Sequence, residues 1–210
     1  DSAKVHSLLQ CIGTDKIKLE GHRLIKTKPC LTIDVDGIAQ GYSVDVVANF
    51  LEQQHITDYV VEIGGEISVK GRKKPGNEKM KIGIEAPGDY EFESPVIQKI
   101  IVIDEGAVTT SGNYRKYHES NGEKFSHTID PRTGYPTKND LISVTVFARD
   151  AITADAYDNV LMTLGLKKAL IFTEQRKDIA AYFIYKTPNG TIADTASSRF
   201  YGLFGGRRGE

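Results

Sequence analysis

The sequence predicts an α+β protein, mostly antiparallel sheet with packed helices. Two observations carry that reading. Short runs of alternating or β-branched residues recur along the chain, some joined only by a Gly-Gly or Gly-His turn. Helical spacing of apolar residues is confined to a few stretches, the clearest being Val44, Val47, Ala48 and Leu51. No linker, low-complexity tract or internal repeat interrupts the chain, so a single domain over 1–210 is expected.

In order, Val5 to Ile12 has apolar residues at 5, 8, 9 and 12, a helical spacing that Gly13 stops. Lys16 to Glu20 and Arg23 to Thr27 flank Gly21-His22 as a hairpin. Leu31 to Asp34 reads as a short strand leading into a helix that Asp36 caps. Tyr59 to Ile63 and Glu66 to Lys70 are strands separated by Gly64-Gly65. Residues 72–79 form a solvated charged loop around Pro75-Gly76. Met80 to Glu85 and Val96 to Ile103 are strands on either side of an acidic loop, and Phe125 to Ile129 is another. Leu141 to Ala148 is strongly β-prone. A helix follows from an N-cap at Thr153 to a stop at Gly165, and a second starts at Leu166. Strands near 180–185 and 198–203 and a frayed tail from Gly205 complete the pattern.

Composition excludes some functions. The hydrophobic share is 40%, the charged share 26% and the net charge −1, so no basic field argues for nucleic acid. No apolar run is long enough to cross a membrane as a helix. No secretory signal pattern opens the sequence, so any export signal is expected to have been removed or never present. Cys11 and Cys30 lack metal-ligand spacing; they either pair in an oxidising compartment or stay free.

Four stretches carry chemistry. His127-Thr-Ile-Asp-Pro-Arg-Thr-Gly-Tyr-Pro136 sets an imidazole, a carboxylate and a guanidinium on a turn stiffened by Pro131 and Pro136; Asp130 and Thr133 serve equally well as ordinary turn residues. The turn Asp34-Val-Asp36-Gly37 opens a helix whose first N–H groups are available to an anion. Thr109 to Asn113, with Ser111-Gly112 at its centre, offers hydroxyls and a glycine that suit a phosphate or flavin edge, or a plain turn. Asp155 and Asn159 are four apart on one helix face, a spacing of oxygen ligands that suits Mg²⁺; acids in a first turn also complement the helix dipole.

Taken together, these stretches resemble a known family. Asp34-Val-Asp-Gly-Ile-Ala-Gln-Gly-Tyr-Ser-Val-Asp45, Glu62-Ile-Gly-Gly65, Thr110-Ser-Gly-Asn-Tyr114, the 127–136 stretch, Ser143-Val-Thr-Val146 and Ala154-Asp-Ala156 stand in the order found in the ApbE family of FAD:protein FMN transferases. The chain looks like the C-terminal two-thirds of such a protein. The resemblance implies a T-fold and an exported enzyme of the bacterial periplasm or envelope, often lipid-anchored through residues outside this chain. It implies FAD as substrate and Mg²⁺ as cofactor. FMN is then transferred to a threonine or serine of an acceptor flavoprotein subunit in an envelope redox complex, with release of AMP. Carried across by motif, Asp34, Gln40 and Ile142 line the FAD site with Ser111 and Gly112. Gly37 offers the metal its carbonyl, Asp155 and Asn159 their side chains, and His127 is the base or its helper. Three positions depart from the usual pattern: Gln40 for lysine or glutamate, Asp36 for a small residue, Asn159 for threonine. The alternatives are an FAD pyrophosphatase releasing FMN and AMP, and a catalytically weak flavin-binding protein.

Overall fold

A computed structural model of the chain describes residues 2–88, 96–112, 117–120, 123–126, 129–137 and 139–205. The elements in chain order are α1 (Ser2–Leu9), β1 (Ile17–Glu20), β2 (Arg23–Lys26), α2 (Asp36–Gln53), β3 (Tyr59–Ile63), β4 (Glu66–Lys70), β5 (Met80–Glu85), β6 (Ile97–Ile103), β7 (Glu105–Gly112), β8 (Tyr117–Ser120), β9 (Glu123–Ser126), β10 (Ile129–Asp130), β11 (Tyr135–Pro136), β12 (Leu141–Ala148), α3 (Ala151–Leu164), α4 (Leu166–Glu174), β13 (Ala180–Lys186), β14 (Ile192–Ala196) and α5 (Ser198–Phe204). The fold is α+β. The chain divides into two compact units, one of residues 1–35 and 117–138, the other of 36–116 and 139–210.

The larger unit is built on a six-stranded antiparallel sheet in the order β14-β13-β12-β7-β4-β3. Alternation along the strands assigns side chains to its two faces. Val144, Val146 and Ala148 of β12 pack with Ala154 and Leu161 of α3, and Val61 of β3 packs with Val44 and Ala48 of α2. On the opposite face Val69 and Val108 meet the two-stranded ribbon β5–β6 through Met80, Ile82, Ile101 and Ile103, with Phe200 of α5 closing the cluster. β12 is therefore covered on both sides, which is why it reads as a nearly continuous apolar run.

The smaller unit contains α1, the β1–β2 hairpin, the β8–β9 hairpin and the two-residue pair β10–β11. Cys11 and Cys30 form a disulfide that closes a 19-residue separation around β1 and β2. Lys28 Nζ, inside that loop, donates to the carbonyl of Gln10 just before it. Loop closure over that separation stabilises by roughly 3 kcal/mol through the denatured chain. Cys11→Ser is expected to lower the urea midpoint of the smaller unit by that equivalent; equal midpoints for wild type and variant would deny the disulfide this role.

Five expectations from the sequence are corrected. Residues 31–35 form no strand: Leu31 is buried, but Ile33 and Val35 are exposed with no neighbouring strand to pair with. Asp36 begins α2 as its first helical residue rather than capping it. Residues 198–203 are helical, not extended. Ser197 caps α5 by accepting from the Phe200 N–H, and Gly205 (φ 76°) ends it. Thr153 is not the cap of α3; Asp150 is, its carboxylate accepting from the Thr153 N–H at 2.9 Å. The hydroxyl-rich stretch 106–112 lies within β7, a central strand of the sheet rather than a turn, and β8 and β14 carry no strand expectation from the sequence.

Candidate active site

The site is built where α2 crosses the start of α3 in the larger unit. Gly41 makes the crossing close: a Cβ there would lie 2.4 Å from the Ala151 carbonyl oxygen and 2.8 Å from Asp155 Cβ. The absence of a side chain lets the Gly41 N–H donate to Asp155 Oδ2 at 2.9 Å across 114 residues of chain. The same two helices are locked a turn later. Asp45 accepts from the N–H groups of Ala151 and Ile152 at 2.8 and 2.9 Å, so a carboxylate from α2 neutralises the first turn of α3.

Asp155 is buried and Asn159 is exposed one turn on. Asn159 Nδ2 donates to the Asp155 carbonyl at 3.1 Å, leaving its amide oxygen to accept from Ser111 Oγ at 3.2 Å. Gly37, at the start of α2, sits beside this amide: a Cβ there would be 3.7 Å from Asn159 Nδ2. Gly37, Ser111, Asp155 and Asn159 are thus brought together. Gln40 lies on the same helical turn, exposed, with its amide pressed on the β3–β4 turn. A Cβ at Gly64 would meet Gln40 Nε2 at 2.0 Å, a contact the flexible side chain can relieve, whereas the φ of +65° is the feature that favours glycine there. Gly112 pairs with Ser143 at the end of β7.

The other candidates fall elsewhere. Ile142 sits at a register irregularity in β12 and packs against the cluster of Val69, Val108 and Phe200, away from α3. Asp34 belongs to the smaller unit. His127 lies outside the described residues. Asp130, the carboxylate of the same stretch, accepts from the Arg132 backbone N–H and guanidinium at 2.7–2.9 Å.

Near Asp155 is a set of further polar groups, of which Glu66 is the one the sequence does not single out. Glu66, Thr109 and Asp158 are all buried, and among the described residues Thr109 Oγ1 and Asp158 Oδ1 have no hydrogen bond of normal length. Burial raises the Asp155 carboxyl above its ordinary range, opposed by the Gly41 N–H. Glu66 is pushed up to about 7, first by burial and then by the charges of Asp155 and Glu62. Asp158 is raised well above its ordinary range, chiefly by burial, with the Thr109 hydroxyl opposing the rise. Glu66 carried no helical or turn signal in the sequence; only its place after Gly64-Gly65 marked it.

This donor set fits a hard divalent cation. Among the described residues no three His, Cys, Asp or Glu side chains close into a metal cage. One carboxylate, one amide oxygen and neighbouring backbone are what Mg²⁺ uses when water and substrate phosphates complete its shell.

A family model described as the ApbE family matches residues 1–183. The chain belongs to the ApbE family. It is 39% identical over 191 residues to an FAD:protein FMN transferase of Haemophilus influenzae, a match covering 89% of this chain and 54% of that protein. With a Vibrio cholerae protein of the same name the identity is 40%, over 90% of this chain and 54% of the relative. The crystal structure of Pseudomonas stutzeri flavinyl transferase ApbE in its apo form superposes with a TM-score of 0.86 at 36% identity, covering 99% of this chain and 62% of the other. The chain therefore spans about half the length of the curated ApbE relatives it matches.

Proposed function

We propose that this chain carries the cation-binding part of an Mg²⁺-dependent FAD:protein FMN transferase. The observation that carries the reading is the arrangement at the α2–α3 crossing, where Asp155 is held by the Gly41 N–H beside the Asn159–Ser111 bond, in a chain of the ApbE family. In the reaction, the hydroxyl oxygen of an acceptor threonine or serine forms a bond to the FMN phosphorus of FAD. The bond from that phosphorus to the bridging oxygen breaks, and AMP leaves with that oxygen. Bound Mg²⁺ would supply charge to the phosphoryl oxygens. Asp155 and Asn159 would hold it through side chains and Gly37 through its carbonyl. Asp34, Gln40, Ser111 and Gly112 would bind FAD, the N–H groups at the start of α2 facing its phosphates. His127 would take the hydroxyl proton.

An exported location, in the periplasm or envelope, is part of the same proposal. The Cys11–Cys30 disulfide supports it, because such bonds persist in oxidising compartments. The acceptor is then a flavoprotein subunit of an envelope redox complex.

The test is incubation with FAD and Mg²⁺, with and without an acceptor protein, following AMP release and covalent flavin. AMP and covalent flavin appearing only with acceptor support the transferase. AMP without acceptor would replace it by an FAD pyrophosphatase, and bound but intact FAD by a binding protein. Within this reading His127→Ala is expected to slow transfer by about 100- to 10,000-fold, the usual range for a general base, with FAD affinity nearly unchanged. An equal loss of affinity and rate would place His127 among the binding residues instead.

A further inference from the structure

Glu66 is the first residue of β4, directly after the Gly64-Gly65 turn, and only 8% exposed. Its carboxylate makes no hydrogen bond or ion pair with any other described residue. Even the more accessible carboxylates elsewhere in the unit have protein partners. Asp45 accepts two backbone N–H groups, and the half-exposed Glu52 is held by the Tyr59 hydroxyl at 2.8 Å and the Lys70 ammonium at 2.9 Å. Alternation fixes which way Glu66 faces. Ile67 and Val69 pack on the ribbon side of the sheet, so Glu66 and Ser68 face the helices. The pairing of Ile67 with Val108 puts Glu66 level with Thr109 on that same face. Asp158, on α3, faces Thr109, whose hydroxyl opposes the rise of its carboxyl; neither Thr109 Oγ1 nor Asp158 Oδ1 has a hydrogen bond of normal length among the described residues. Asp155 and Asp158 both stand in the field of this cluster, the charge of Asp155 acting on Glu66 and that of Glu66 on Asp158.

A carboxylate with so little exposure and no protein partner is costly, and an apolar residue would fill the place more cheaply. The arrangement is one that a positive charge would complete. Resting on the cation reading above, we infer that Glu66 supplies the second carboxylate of the metal site, accepting hydrogen bonds from water on the cation that Asp155 ligates. Direct ligation is not required, since Mg²⁺ keeps several of its waters, and carboxylates one shell out orient such ligands. Thr109 and Asp158 offer further partners to the same water.

The test is Mn²⁺ binding followed by electron paramagnetic resonance at pH 8 without FAD, with thermal melting of the same samples. Glu66→Gln keeps the shape and removes the charge. It is expected to weaken Mn²⁺ binding about tenfold or more, the usual effect of losing an outer-shell partner, while its metal-free melting temperature equals or exceeds that of wild type. Mn²⁺ affinity within twofold of wild type would overturn the inference. So would a variant that melts well below wild type without metal, or fails to fold, since either marks a structural carboxylate. Asp155→Asn is the companion. If it loses Mn²⁺ and Glu66→Gln does not, the role of Glu66 fails and the cation site stands. If Asp155→Asn binds Mn²⁺ as wild type does, the cation reading itself fails and the inference goes with it.

Discussion

Gly41→Ala is expected to destabilise the larger unit by about 2–4 kcal/mol. The added methyl would lie 2.4 Å from the Ala151 carbonyl oxygen and 2.7 Å from its carbon, backbone atoms that move only if α2 and α3 separate. Overpacking of this kind costs roughly 1–3 kcal/mol. Separation also lengthens the 2.9 Å bond from the Gly41 N–H to Asp155, and hydrogen bonds to charged groups contribute about 1.5–3 kcal/mol. Alanine is the better helix former by about 1 kcal/mol, which offsets part of the loss. Steric cost and lost bond outweigh propensity. Urea unfolding of wild type and variant measures the difference. A loss under about 1 kcal/mol would show that the helices adjust without strain and that the close crossing is not structurally required.

Asp155→Asn is expected to raise the Mg²⁺ concentration for half-maximal AMP release by tenfold or more, whereas Asn159→Thr should change it only modestly. Among Gly37, Asp155 and Asn159, only Asp155 brings formal charge, and Mg²⁺ prefers hard anionic oxygen. Asparagine at 155 can still accept from the Gly41 N–H, so the change reports charge rather than shape. Threonine at 159 exchanges one neutral oxygen for another. Because burial raises the carboxyl of Asp155, the metal-free variant should melt no lower than wild type. An unchanged metal requirement would leave Asp155 as a fastener between α2 and α3 and would move the cation elsewhere.

Much of this fold is legible in the sequence. β3, β4, β5, β6 and β12 announce themselves by alternation or by β-branched runs between glycines. The exceptions have physical reasons. β7 hides because Thr109 and Ser111 turn toward α3, so its helix-facing side is polar where burial normally selects apolar residues. α5 was mistaken for a strand because its aromatic residues are β-prone, yet the cap at Ser197 and the stop at Gly205 were both visible. In the candidate site, the four-residue spacing of Asp155 and Asn159 is local and could be read. The Gly41–Asp155 bond spans 114 residues and the bonds of Asp45 to Ala151 and Ile152 span 106 and 107, distances at which no single-sequence pattern speaks. Glu66 was invisible for the same reason, its surroundings being assembled from β7 and α3.

The smaller unit is discontinuous in sequence: residues 1–35 find the rest of it only at 117–138, between adjacent strands β7 and β12 of the larger sheet. This sets an order of events during synthesis. A chain emerging from the ribosome at about 5–20 residues per second completes residues 1–35 several seconds before residues 117–138 of the same unit exist. β7 likewise waits for β12, so the centre of the large sheet closes only after the inserted segment has been made. Early pairing of Cys11 with Cys30 would hold the β1–β2 hairpin ready for the later segment.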